Sequence, residues 1–298
     1  MVKQIGLIGL GNMGENIALN LLSKNYKLVV YNRSIEKTKQ LKHGSIPSYS
    51  LEEFLTKLNS PRVILLMLTA GSPVDQVINQ LTTSLNKGDI IIDGGNSHFK
   101  DSVRRYNYLK SKSIHFIDIG VSGGITGARN GTSLTIGGDK PIFKKIEFLF
   151  RDLSKKNGYA YLGNAGAGHF AKMIHNGIEY ALLQSYAEGF EIIKKSEYNY
   201  DLKKIARVWN NGSIIESHIL SLIEDVLLKN PNLKDIKGII GGGQTGQWAY
   251  KESKSIGVEF GTLKHSLEKR KSSEKKQSFS TKLISALRNE FGGHKAQK

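Results

Sequence analysis

Short apolar runs recur through the first half of the chain, at residues 5–8, 28–31, 63–68, 90–92, 116–119 and 134–136, separated by polar or helix-patterned stretches. Runs of that length read as strands buried on both faces, and residues 16–23 carry the spacing of an apolar helix face. The alternation predicts a doubly wound α/β sheet to about residue 160. The pattern changes after the glycine-rich stretch 163–168. Residues 168–195 form one long helical pattern without proline, and 201–210, 213–228 and 279–288 also read as helices. The chain is therefore expected to divide into an α/β domain over 1–164 and an all-α domain over 165–298, ending in a loose tail.

The first strand runs into Gly9-Leu10-Gly11-Asn12-Met13-Gly14, a G-x-G-x-x-G turn opening a helix. Gly9 permits the tight turn, Gly11 lets a pyrophosphate approach the backbone, and Gly14 allows close strand–helix packing. The free N–H groups of the helix start, around Asn12 and Met13, suit an anion. This is a Rossmann-type dinucleotide site. The second strand ends in Tyr31-Asn32-Arg33-Ser34 with no carboxylate. A carboxylate would bind a ribose 2′-hydroxyl and repel a 2′-phosphate, whereas Arg33 can clamp the phosphate with Asn32 and Ser34 as hydrogen-bond partners. NADP is the expected cofactor.

Two more loops follow strands, where ligands of open α/β sheets bind. Asp93-Gly94-Gly95-Asn96-Ser97 puts Asn96 in a ligand position, and Ser122-Gly123-Gly124 offers a hydroxyl and several N–H groups to an anion such as a carboxylate. The long helix then carries Lys172, His175, Asn176 and Glu179 at i, i+3, i+4 and i+7, on one face. Apolar flanks nearly all round imply a helix buried between partners, so the polar stripe reads as a proton-handling surface satisfied by a ligand or a network.

Composition narrows the classes. The 298 residues, 39% hydrophobic and 23% charged, are ordinary for a globular protein. No apolar run approaches the roughly 18–20 residues that span a bilayer. The N-terminus enters a strand directly, without room for a signal peptide, so cytoplasmic residence is expected. The absence of cysteine rules out disulfides, thiolate zinc sites and thiol nucleophiles. A net charge of +17 comes mostly from dispersed lysines, without a nucleic-acid motif, and reads as a solvated surface attractive to anionic ligands.

These motifs together resemble 6-phosphogluconate dehydrogenase (decarboxylating) of the short-chain type. The stretch Lys172-Met173-Ile174-His175-Asn176-Gly177-Ile178-Glu179-Tyr180 is the most specific part, and Leu287-Arg288-Asn289-Glu290-Phe291-Gly292-Gly293-His294 is similar to the family's C-terminal phosphate-binding segment. The resemblance implies oxidation of 6-phosphogluconate to ribulose 5-phosphate and CO2 in the pentose phosphate pathway and gluconate utilisation. It implies Lys172 as base at the C3 hydroxyl and Glu179 as the acid that protonates C1. Asn96, Ser122, Gly123, Gly124, His175 and Asn176 would hold the sugar acid, with Asn96 also contacting the cofactor. Tyr180, Arg288 and His294 would hold its phosphate. No metal is required, and a homo-oligomer (dimer or tetramer) is implied, because in the longer enzymes the tail reaches into a neighbouring subunit. One position departs from the family. Gln247 stands where the longer enzymes carry a phosphate-contacting lysine, with Lys251 or Arg270 as candidate substitutes. The nearest competing reading is a β-hydroxyacid dehydrogenase of the 3-hydroxyisobutyrate type. It is expected to show D-x-S-T in place of Asp93–Ser97 and K-x-x-x-N-N in place of the Lys172 pattern.

Overall fold

A computed structural model describes residues 3–41 and 44–293. The chain folds as two compact units, Met1–Met173 and Ile174–Lys298.

The first unit is an eight-stranded sheet of order β3-β2-β1-β4-β5-β6-β7-β8. The strands are β1 (Gln4–Ile8), β2 (Lys27–Tyr31), β3 (Ile46–Ser48), β4 (Val63–Leu66), β5 (Ile90–Asp93), β6 (His115–Ser122), β7 (Thr132–Gly138) and β8 (Ser154–Gly163). All neighbours run parallel except β6 and β7, which are antiparallel. The connecting helices are α1 (Asn12–Leu22), α2 (Ile35–Gln40), α3 (Leu51–Thr56), α4 (Ser72–Leu81), α5 (Phe99–Ser111), α6 (Gly124–Asn130) and α7 (Lys140–Leu153). Strand residues alternate between two cores. Ile5, Leu7, Leu28, Val30, Leu65, Ile90 and Ile92 pack with Ile17 and Leu21 of α1 and Phe150 of α7. Ile8, Val29, Ile64, Leu66 and Ile91 pack with Phe54, Ile78 and Leu109 of α3 to α5. Burial on both faces is why these strands read as unbroken apolar runs.

Two strands, β3 and β8, carry no such signal in the sequence. β3 is three residues long and contains Pro47, and β8 is an edge strand that opens Ser-Lys-Lys-Asn, so neither shows an apolar run.

The second unit is built on α8 (Ala167–Lys195), which begins in the first unit and continues into this one. The others are α9 (Leu202–Trp209), α10 (His218–Lys229), α11 (Gln244–Ser255), α12 (Gly261–Ser272) and α13 (Phe279–Gly292). Leu183, Ala187 and Phe190 of α8 share a core with Leu202, Leu220, Ile223, Leu227, Leu283 and Leu287. The helix expected over 213–228 starts at His218 instead, because the Ser217 side chain accepts the Leu220 N–H at 3.1 Å and caps it there. α12 is not legible from the sequence because its inward positions include Ser266 and Arg270 beside Leu263, so it lacks an apolar stripe. Among the described residues, no helix is long and apolar enough to cross a membrane.

Candidate active site

The glycine turn has the geometry its spacing implies. Gly9 sits at φ +101°, and a Cβ there would overlap the Met67 carbonyl; a Cβ on Gly14 would overlap the Gly9 carbonyl. Gly11 differs, since a Cβ there would meet nothing within 4 Å. Gly9 and Gly14 are therefore small for packing, and Gly11 faces open space where a pyrophosphate can reach the start of α1. That helix has no side-chain cap, so its first N–H groups are left to solvent or an anion. Asn12 is exposed and Met13 half-buried against the core. These features fit a dinucleotide.

The Asn32 amide knits the turn: its oxygen accepts the Leu10 N–H at 2.9 Å and its nitrogen donates to the Ser34 carbonyl at 3.1 Å. Arg33 and Ser34 are exposed beside it. Sequence reasoning missed Lys37, whose ammonium donates to the Leu10 carbonyl at 3.2 Å and sets a second cation at the turn. A lysine four residues after Arg33, one turn along α2, was the signal available.

Beyond β5, Asn96 is the exposed residue of a buried loop. The loop hangs on Asp93, fully buried, which accepts the Gly95 N–H at 3.0 Å, the Ser97 hydroxyl at 2.9 Å and the Arg105 guanidinium at 3.0 Å. Arg105 also bonds Asp75 at 2.8 Å and the Gly71 carbonyl at 3.1 Å, tying in the loop after β4. Ser122 ends β6, and Gly123 and Gly124 follow with φ of +119° and +61°, a left-handed pair that turns the chain into α6.

Lys172 is positioned by glycines beneath it. A Cβ on Gly120 of β6 would overlap the Lys172 Cβ, and one on Gly168 would come 2.6 Å from the carbonyls of Asp118 and Thr135. The first turn of α8 therefore lies directly on the backbones of β6 and β7. The buried Asp118 carboxylate accepts the N–H groups of Gly166 and His169, at 2.7 and 2.8 Å, and so caps the helix.

Farther along α8, His175 Nδ1 lies 3.8 Å from the Glu179 carboxylate and 3.3 Å from the Asn176 amide oxygen. Asn176 is buried, Glu179 half-buried and His175 exposed. The flanking apolar residues are not enclosed all round as the sequence suggested. Ile178 and Leu182 are 49% and 43% exposed, because the helices of this unit cover only the Leu183–Phe190 side of α8.

Tyr180, next after Glu179, stands among cations. The Arg270 guanidinium lies 3.7 Å over its ring and donates to the Gly241 carbonyl at 3.1 Å, while the buried Arg270 Nε has no hydrogen-bond partner. Arg288 comes within 2.8 Å of a Cβ built on Gly242. Burial lowers the pKa of both: Arg270 is pushed down to about 10, with the neighbouring Arg288 adding to the effect and Tyr180 and Glu179 opposing it. Two poorly solvated cations beside one unsatisfied N–H make a receptive place for an anion. The Tyr180 hydroxyl pairs with Thr245 at 3.3 Å, and Gly246 must be small because a Cβ would come 2.6 Å from the Tyr180 ring. Gln247 is exposed on the same turn of α11, and Lys251 is exposed one turn on. Of the two candidate substitutes for the missing lysine, it is Arg270 that packs on Tyr180. Arg288 joins the cluster within its own chain. His294 lies outside the described residues.

The chain matches known proteins in sequence and in fold. A model of the NAD-binding domain of 6-phosphogluconate dehydrogenase matches residues 4–165, and a model of that enzyme's C-terminal domain matches 168–197 and 185–298. YqeC of Bacillus subtilis, provisionally named a 6-phosphogluconate dehydrogenase, is 42% identical over 296 residues and 99% of each chain. The NAD(+)-dependent, decarboxylating 6-phosphogluconate dehydrogenase of Haloferax volcanii is 35% identical over 298 residues, again 99% of each. The Plasmodium falciparum 6-phosphogluconate dehydrogenase, solved apo, with NADP+ and with 6-phosphogluconate, superposes with a TM-score of 0.82 at 32% identity, over 95% of this chain and 70% of that one.

Proposed function

Because the chain belongs to the 6-phosphogluconate dehydrogenase family, we propose that it oxidises and decarboxylates 6-phosphogluconate to ribulose 5-phosphate and CO2, with NADP as the oxidant. It is an oxidoreductase with an NAD(P)-binding Rossmann-type domain. The observation that carries the finer reading is the order of groups along α8: Lys172, His175, Asn176 and Glu179 on one face, then Tyr180 under the Arg270 guanidinium.

The bound dinucleotide supplies a hydride acceptor, held by the α1 N-terminus, Asn32, Arg33, Ser34 and Lys37. Every other step belongs to the chain. Lys172 takes the proton of the C3 hydroxyl as the C3–H bond gives up its hydride, leaving a 3-keto acid. The protonated lysine then stands beside the ketone oxygen and stabilises the charge that develops there as the C1–C2 bond breaks and CO2 leaves. Glu179 donates a proton to the enediol carbon, which becomes C1 of the product. Seven residues separate the two groups, about 10 Å along the helix axis. Two long side chains can bracket adjacent carbons from that spacing. Asn96, Ser122, Gly123, Gly124, His175 and Asn176 orient the sugar acid, and Tyr180, Arg270 and Arg288 take its phosphate.

The relative from Haloferax volcanii is named NAD(+)-dependent, and the Plasmodium falciparum enzyme was solved with NADP+. Arg33 and Lys37 beside the β2 end, with no carboxylate in Tyr31–Ser34 itself, favour the second cofactor here. The exposed apolar stripe Ile178, Leu182 and Ile192 on α8 supports a homo-oligomer, in which a second copy covers it. The test is turnover of 6-phosphogluconate with NADP and NAD, following CO2 release. Reduction of cofactor with 3-hydroxyisobutyrate and none with 6-phosphogluconate would transfer the chain to the competing β-hydroxyacid reading.

A further inference from the structure

His169 is 1% exposed, one helical turn before Lys172 on α8. Its Nε2 lies 3.0 Å from the Gly95 carbonyl and its Nδ1 lies 2.7 Å from the Ser102 hydroxyl. A carbonyl oxygen only accepts, so Nε2 carries the hydrogen and Nδ1 accepts from Ser102. The backbone N–H of the same residue donates to Asp118. One residue thus touches β6 through its backbone, α5 through Nδ1 and the loop after β5 through Nε2.

Gly95 is held on both sides. Its N–H is bonded to Asp93 and its carbonyl accepts from His169. The next residue is Asn96, exposed at the tip of an otherwise buried loop. A Cβ on Gly95 would come 2.7 Å from the Leu68 carbonyl, so the loop has no slack on the other side.

We propose that His169 is a positioning residue that clamps the Asn96 loop to the helix carrying Lys172, and so sets the spacing between a substrate-binding amide and the base. The ordinary alternative is a satisfied core histidine that contributes stability alone. The two differ in consequence. A filler can be lost without moving Asn96, whereas loss of the clamp frees the Gly95 carbonyl and lets the loop drift. In a reacting geometry a drift of about 1 Å is felt in the rate. The inference rests on the reading that Asn96 and Lys172 serve one substrate.

The test compares His169→Leu, His169→Gln and Ser102→Ala with the wild-type chain. Glutamine can place an amide N–H near the Nε2 position and keep the bond to Gly95. Four quantities are measured: thermal stability, affinity for 2′,5′-ADP, kinetics with 6-phosphogluconate per folded molecule, and deuterium exchange over residues 93–98. His169→Leu should exchange about tenfold faster there and lose about tenfold in kcat, the worth of one buried hydrogen bond. Ser102→Ala should show the same changes more weakly. His169→Gln should restore most of both. Affinity for 2′,5′-ADP, which needs the Arg33 end alone, should not change.

Unchanged exchange in His169→Leu and Ser102→Ala overturns the clamp. Faster exchange with unchanged kcat and KM overturns its role in positioning. If His169→Leu does not fold, Ser102→Ala and His169→Gln decide. If the wild-type chain does not turn over 6-phosphogluconate, the functional reading fails by itself, and the exchange data still decide whether His169 holds the loop.

Discussion

Gly120 on β6 lies directly beneath Lys172 on α8, so close that a Cβ on the glycine would overlap the Cβ of the lysine. The side chain expected to act as base therefore stands on bare backbone, and its height above the sheet is set by an atom that is missing. Gly120→Ala should lift or tilt the first turn of α8. Overpacking of this kind costs about 1–3 kcal/mol. Thermal melting should register that loss, and kcat with 6-phosphogluconate should fall more steeply than the melting temperature alone accounts for. Full activity in a destabilised Gly120→Ala would show that Lys172 does not need this support.

Lys172→Met keeps the length and apolar stem of the side chain and removes the amine. Turnover should fall by about 10²–10⁴-fold, the usual loss for a general base. Dinucleotide affinity, measured by fluorescence titration, should stay near wild type, because the glycine turn and Arg33 are untouched. Near-normal turnover in this variant would remove Lys172 from the mechanism.

Arg33→Ala should raise the KM for NADP by about 10–100-fold, as one charge-assisted phosphate contact is lost, and leave the KM for NAD little changed. Lys37→Ala should move the same ratio in the same direction and by less. A wild-type enzyme with higher kcat/KM for NAD than for NADP would sink the assignment of both residues.

Arg270 and Arg288 are both poorly solvated and both beside Tyr180. Inorganic phosphate should therefore raise the melting temperature of the wild-type chain, in proportion to the logarithm of its concentration once sites fill. Arg288→Ala should abolish that stabilisation and raise the KM for 6-phosphogluconate, with kcat falling too where phosphate binding helps to position C3. An Arg288→Ala enzyme with unaltered KM and kcat would leave the phosphate to other groups.

Glu191 gives a prediction in pH. Burial opposes its ionisation, yet Lys195, the Ser280 side chain and N–H, and Ser278 hold its pKa down from 4.5 to about 2. A carboxylate depressed in the folded state contributes stability that is complete above its unfolded pKa and is lost as pH falls through the folded value. Wild-type stability should therefore decline between about pH 4.5 and 2, and Glu191→Gln should flatten that part of the profile. Parallel profiles for the two proteins would show that the Ser278–Ser280 start of α13 does not depend on this charge.

Much of the candidate site could be read from the sequence because it is local. The glycine turn, the β2 turn, the Asn96 loop and the α8 stripe are each contiguous or helically spaced. Strands buried on both faces announced themselves as apolar runs. What could not be read is long-range and polar. β8 carries its pairing in backbone bonds, and opens with two exposed lysines in place of an apolar run. Arg270 reaches Tyr180 from a distant helix, which turns Ser266 and Arg270 inward, where pattern reading expects apolar groups. Lys37 and His169 act through backbone carbonyls, which leave no trace in side-chain type. The over-estimate of burial around α8 has the same origin, since an apolar stripe does not say whether its own chain or another covers it.

α8 crosses from the first compact unit into the second without a break, with Lys172 on one side of the division and Glu179 and Tyr180 on the other. The two units are therefore not exchangeable modules. A chimera joined at the division, between Met173 and Ile174, would take the proposed base from one parent and the proposed acid from the other, and one residue inserted or deleted at the junction would turn them apart by about 100° around the helix. Recombination of natural relatives within this stretch should therefore yield active progeny only when the number of residues between Lys172 and Glu179 is kept.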